Sequence, residues 1–235
     1  MNSLMCLSSA YKYTKQTVNF VAAGNSIRTL AYSYDGKAWN DVNNSASNIF
    51  TITGRGVAYG NNLWVALGEG TNRLAISTNG TNWTIRSSPF STRGISAAWN
   101  GSIWVAVGQG TNSIAYSYDG TTWTGVTNST TNFFTRGYGV AWSSSLNRWV
   151  AVGEGTTHTI ATSSNGTSWT GQGKTVFSTL GRSVAWSSSL NLWVAGGQGT
   201  NTIAYSSTAL NSASWTAVSN STSIFSNICY GVGSK

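Results

Sequence analysis

W-V-A-V-G-Q-G-T-N-S-I-A-Y-S-Y-D-G-T-T-W (residues 104–123) reads as two short strands, each followed by a glycine-bearing turn, with a tryptophan at either end. The phrase returns four more times, with substitutions, between Phe20 and Trp215. Aligned on the strand that opens V-A, the copies begin at Val21, Val65, Val105, Val150 and Val194, spaced 44, 40, 45 and 44 residues apart. Aligned on the closing tryptophan they fall at Trp39, Trp83, Trp123, Trp169 and Trp215, spaced 44, 40, 46 and 46. Two landmarks agree on one period.

A period near 44 built of short strands is the mark of propeller blades. Each unit holds four strand-like runs, clearest in the third: G-I-S-A-A-W (94–99), I-W-V-A-V-G (103–108), S-I-A-Y-S-Y (113–118) and T-W-T-G-V (122–126). The runs are β-branched or aromatic and are separated by Gly, Asn and Asp turns, the hairpin signature. No window carries ten residues of helical periodicity free of glycine. The first and second runs, as in A-W-N-G-S-I-W-V-A-V, are almost continuously apolar, as expected of inner strands buried on both faces between neighbouring blades. All 12 tryptophans fall on repeat positions, which assigns them to packing between thin sheets.

The expected fold is therefore all-β: a five-bladed β-propeller of four-stranded antiparallel blades, occupying residues 1–235 as one domain. The repeats run over about 10–48, 49–88, 89–130, 131–176 and 177–223. Residues 229–235, C-Y-G-V-G-S-K, match the opening strand Y-G-V-A-W-S (138–143), so the segment 224–235 is expected to close the ring beside residues 18–40. The competing expectation uses A-Y-K-Y (10–13) as the innermost strand of the first blade.

The net charge of +8, from 13 basic residues against five acids, suits an anionic partner, and nucleic acid is one. No apolar run is long enough to span a membrane, and the N-terminus lacks the basic flank of a secretory signal. Cys6 and Cys229 make no disulfide framework and are expected as reduced thiols.

The turns S-Y-D-G-K-A-W (33–39), S-T-N-G-T-N-W (77–83), S-Y-D-G-T-T-W (117–123) and S-S-N-G-T-S-W (163–169) resemble the Asp-box of sialidase-like propellers, one residue shorter before the glycine. Asp35, Asn79, Asp119 and Asn165 are then structural: each side chain caps backbone N–H groups while the glycine supplies the positive φ. The fifth copy, S-S-T-A-L-N-S-A-S-W (206–215), has an insertion and is expected to be looser. The whole repeat is also similar to repeats in largely uncharacterised propeller proteins of large DNA viruses and some bacteria. That likeness implies a virion-associated or surface binding protein.

Two sets of polar residues are candidates for recognition. Loops between second and third strands offer Glu69, Gln109, Glu154 and Gln198 between glycines, and Arg28, Asn72, Asn112, His158 and Asn201 before the third strand. Loops from fourth to first strands carry Arg55, Arg93, Arg136 and Arg182, a set suited to carboxylate, sulfate or phosphate near an axial mouth. The bland alternative has each arginine packing on an aromatic ring or capping carbonyls.

Catalytic residues are scarce. Asp35, Asp41, Glu69, Asp119 and Glu154 are the whole acid inventory, and Glu69 with Glu154 the one conceivable glycosidase pair. One histidine and no Cys/His cluster leave no His-based triad or zinc site, and no cofactor is implied. The expectation is a monomeric, non-catalytic binding module, lectin-like in taking glycans through inter-blade loops. The alternatives are an interaction or virion-structural protein binding protein or nucleic acid through a basic face, and a glycosidase-like enzyme.

Overall fold

The computed structural model describes residues 16–234; Cys6, Tyr13 and the A-Y-K-Y segment lie outside them. The chain runs as a series of antiparallel meanders. The first comprises β1 (Phe20–Ala23), β2 (Leu30–Ser33) and β3 (Asn40–Asp41). The second comprises β4 (Thr53–Gly60), β5 (Leu63–Glu69), β6 (Leu74–Ser77) and β7 (Thr84–Ile85). The third has β8 (Arg93–Trp99), β9 (Trp104–Gln109), β10 (Ile114–Ser117) and β11 (Thr124–Gly125). The fourth has β12 (Arg136–Ser143), β13 (Arg148–Glu154), β14 (Ile160–Ser163) and β15 (Thr170–Gly171). The fifth has β16 (Leu180–Ser187), β17 (Leu192–Gln198), β18 (Ile203–Ser206) and β19 (Thr216–Ala217).

The doubly buried second strand follows from the packing. Along β9, Trp104 and Ala106 enter the core shared with β5 and β6, while Val105 and Val107 enter the core shared with β13 and β14. Along β13, Trp149 and Ala151 face back and Val150 and Val152 face forward. Side chains alternate across the strand, so an unbroken apolar run fills two interfaces at once. Trp104, Trp149 and Trp193 are fully buried, each tilted against an aromatic of the first strand at 5.0–5.2 Å between ring centroids.

The first strands β4, β8, β12 and β16 stand side by side. Each carries a bulge at its third residue: Arg55, Ile95, Tyr138 and Arg182 are left out of the ladder to the second strand. Successive meanders are also stitched by single antiparallel bridges, Glu69 to Arg93 and Gln109 to Arg136.

The C-terminal segment takes the next place in this order. Ile228 bridges to Gln198, the Cys229 N–H donates to the Gly197 carbonyl (3.0 Å), and the Val232 N–H donates to Ser183 Oγ (3.2 Å). Among the described residues no ladder joins this segment to β1, and the first meander has three strands.

Two local features differ from the sequence expectation. The fifth S-turn is ordered by a different device. Asn211 and Ser214 cap a short 3₁₀ turn (Ser212–Ser214) reciprocally, and buried Ala209 (φ 49°) stands where other copies place glycine. Short helical turns also occupy the loops after the first, third and fifth meanders: Ser45–Ile49, α1 (Ser129–Asn132) and α2 (Ser221–Ile224). Each opens on a buried serine whose Oγ accepts a backbone N–H from its own meander, from Thr29 (2.9 Å), Ser113 (3.0 Å) and Thr202 (3.4 Å).

Candidate functional site

The four S-x-[DN]-G turns share one hydrogen-bond pattern. Asp35 Oδ1 accepts from the N–H of Lys37 (2.8 Å) and Ala38 (2.9 Å), and Asp119 Oδ1 from Thr121 and Thr122 (both 2.8 Å). Asn79 and Asn165 accept the same pair at 2.9–3.0 Å. The tryptophan closing each turn donates Nε1–H to the glycine carbonyl at 2.9–3.2 Å. These groups are consumed by the scaffold.

At the opposite ends of the meanders, both candidate sets converge on one rim. Arg55 Nη2 lies 2.6 Å from Glu69 Oε2, and Arg93, on the next meander, lies 3.3 Å from Glu69 Oε1. Arg136 donates Nε–H to Gln109 Oε1 of the preceding meander (2.9 Å) and lies 3.8 Å from Glu154 of its own. Tyr138 accepts from Arg136 (2.8 Å) and donates to Glu154 Oε2 (3.2 Å). Gln198 donates to Asn227 (2.7 Å). At Glu69, Gln109 and Gln198 this position staples one unit to the next, whereas Glu154 bonds only within its own meander. The four arginines reach the rim from two registers: Arg93 and Arg136 open their strands, whereas Arg55 and Arg182 occupy the bulges.

The other loop candidates are committed to the backbone. Asn112 and Asn201 donate to the carbonyls of Pro89 and Val176 (both 2.8 Å), and Asn72 to Asn48 (3.2 Å), each pinning the loop that enters its meander. His158 Nδ1 accepts from the Gly173 N–H (2.7 Å), and Arg28 pairs with Asp41 (3.1 Å).

Two concavities bear on recognition. The axial one, about 320 Å³, is lined by the bulge residues Arg55, Ile95, Tyr138 and Arg182, with Tyr230 from the C-terminal segment. The outer one, about 440 Å³, lies between the first and second meanders. Tyr32 and Trp83 supply its aromatic surface, and Asp41, Asn43, Asn48 and Asn82 its polar rim. Among the described residues the side-chain amides of Asn43, Asn48 and Asn82 have no hydrogen-bond partner, although backbone groups of Asn48 and Asn82 do. Burial pushes the Tyr32 hydroxyl above its ordinary pKa, with neighbouring Tyr34 adding to the shift. The outer concavity was not singled out from sequence, whereas the axial one holds Arg55 and Arg182, two of the four arginines expected near an axial mouth. The available signal was a tyrosine at the third position of the third run in meanders one, three and five, and the residue following the glycine in each opening strand.

No protein-family model matches the chain, and no curated protein matches it. Solved structures do. The nidogen/laminin complex aligns with a TM-score of 0.63 at 10% identity, over 92% of this chain and 81% of that one. A GH74 enzyme of Niastella koreensis aligns at 0.52 and 17% identity, over 87% of this chain and 30% of that one. YCF48 bound to D1 peptide aligns at 0.51 and 16% identity, over 86% and 66%. These neighbours are β-propeller proteins. The chain has a propeller-like fold.

The chain spans 30% of the GH74 enzyme and 66% of YCF48, and at these identities the likeness carries the fold alone. In propeller terms the meanders are blades, the bulge residues face the axis, and the outer concavity is an inter-blade groove. No helix among the described residues is long and apolar enough to cross a membrane.

Proposed function

We propose that the chain is a non-catalytic, lectin-like binding module, a closed ring of five blades that takes sugars in grooves between blades. Ring closure is supported by residues 228–234, which continue the order of first strands and place Tyr230 at the axis beside the bulge residues. The single observation carrying the functional reading is the groove of Tyr32 and Trp83. Aromatic faces accept the apolar side of a pyranose, and unpartnered amides supply the directional bonds that hydroxyls need. The pairing recurs at the third and fourth blades, where Tyr116 and Trp169 pack against one core cluster. Weak sites repeated around a ring gain by multivalency.

Absence of catalysis is part of the proposal and is supported by where the acids go. Asp35 and Asp119 hold turns, Asp41 pairs with Arg28, and Glu69 is held between two arginines. Glu154 bonds Tyr138 and Arg136, which leaves no free carboxyl to protonate a leaving group.

A glycan array read at 0.15 and 0.5 M NaCl tests this, followed by calorimetry of the strongest hit on Asn82→Ala. Discrete hits that persist in high salt and weaken at least tenfold in the variant are expected, a difference of about 1.4 kcal/mol. Binding that vanishes with salt points to an electrostatic surface contact instead.

A further inference from the structure

The axial cavity contains a cation that no acid among the described residues neutralises. Arg182 occupies the bulge of the fifth blade, half-buried, with its guanidinium 4.4 Å from the Tyr138 ring centre and 5.5 Å from that of Tyr230. Among the described residues it makes no ion pair and no hydrogen bond, whereas Arg55, Arg93 and Arg136 each have a glutamate. Aromatic faces stabilise the plane of a guanidinium, but its N–H edge needs oxygen acceptors. Four arginines against two glutamates leave the rim at +2, which focuses an attractive potential on an approaching anion.

We infer that the axial cavity is a carboxylate-binding site, with Arg182 taking the two oxygens in a forked pair and the ligand's short apolar stem lying on Ile95, Val140 and Val184. A planar guanidinium held on two rings is pre-oriented for that fork, so little side-chain freedom is lost on binding. The cavity, about 320 Å³, sits at the lower end of the range for small-molecule sites, which suits one acid group and a few carbons. Because Tyr230 belongs to the C-terminal segment, occupation of the site also fastens that segment to the ring.

The site is separate from the inter-blade groove, and the two can fail independently. The test is an NMR titration of the full chain with butyrate, with butyramide as its uncharged counterpart and with a doubly capped glutamate as the peptide-borne form. Butyrate is expected to saturate, to show intermolecular NOEs to the Val184 methyls and the Tyr230 ring, and to weaken at least tenfold in Arg182→Gln. Butyramide is expected not to bind, and Asn82→Ala to bind butyrate as the wild type does. Competition by the capped glutamate assigns the carboxylate to a peptide partner; its exclusion, with butyrate bound, assigns it to a free organic acid. The NOEs need no variant, so a poorly folded Arg182→Gln leaves the test intact. Equal response to butyramide, NOEs placed elsewhere, or full retention of binding in a folded Arg182→Gln would overturn the proposal.

Discussion

Asp119 shows how much a single repeat residue does. The Thr121 hydroxyl and the Thr122 N–H hold its carboxyl well below the ordinary carboxylate range, and the N–H groups of Ala38 and Lys37 lower that of Asp35. A depressed pKa means the folded chain resists protonation more than the unfolded one. The turn's contribution is therefore complete above about pH 4, and it declines as pH falls from there toward the folded value. Asp119→Asn keeps the backbone acceptor, as Asn79 and Asn165 already do, and should cost no more than about 1 kcal/mol at pH 7. Paired with Asp35→Asn, it should flatten the fall of the urea midpoint between pH 4 and 3. Glycine of the V-A-x-G strand offers a sharper contrast. A Cβ on Gly108 would lie 2.4 Å from the Arg93 carbonyl oxygen and 2.7 Å from the Phe90 ring, whereas one on Gly24 meets nothing within 4 Å. Gly108→Ala should lower stability by at least about 1–3 kcal/mol, and Gly24→Ala by less than about 0.5 kcal/mol, in the same urea titration. The turn residues were legible in the sequence because their chemistry is local. The aromatic partner of Arg182 was not, since Tyr230 comes from the distant C-terminal segment.

At the scale of elements, the strands were readable because apolar runs, turn glycines and tryptophans all repeat with one period. What the sequence concealed was side-chain destination. Arg55, Arg93, Arg136 and Arg182 sit in equivalent loops, yet Arg55 and Arg182 follow the strand's glycine and occupy the bulge, while Arg93 and Arg136 precede it and take ladder positions. The loop asparagines look free for recognition, yet three of them donate to carbonyls of the entering loops. The short helical turns escaped notice because four residues carry no periodicity. Their mark is the N-S dipeptide at 44–45, 128–129 and 220–221, which places a buried hydroxyl under an otherwise unpaired N–H. Ser129→Ala would strand the Ser113 N–H in the core and should cost about 1–3 kcal/mol, read as a lowered urea midpoint with unchanged slope. Trp149→Ala, emptying a fully buried site between two blades, should cost about 3–5 kcal/mol by the same measurement.

For the whole molecule, the blades divide labour by radius. Their inner edges carry the rim of arginines and glutamates, their middles the shared cores, and their outer strands the groove of Tyr32 and Trp83. Residues 228–234 are held by a few hydrogen bonds, two of them to Ser183 and Gly197. A chain lacking residues 228–235 should therefore fold less stably, with a lower urea midpoint and a larger radius of gyration than the roughly 17–18 Å a compact chain of this length has. An unchanged midpoint would mean that the segment adds nothing to closure. Sugar binding in the inter-blade groove is tested by a crystal soaked with the strongest glycan-array hit. Density is predicted against Tyr32 and Trp83, within hydrogen-bond reach of Asn82 and Asn43. Density confined to the G-Q-G-T-N loops, or none at saturating sugar, would contradict it.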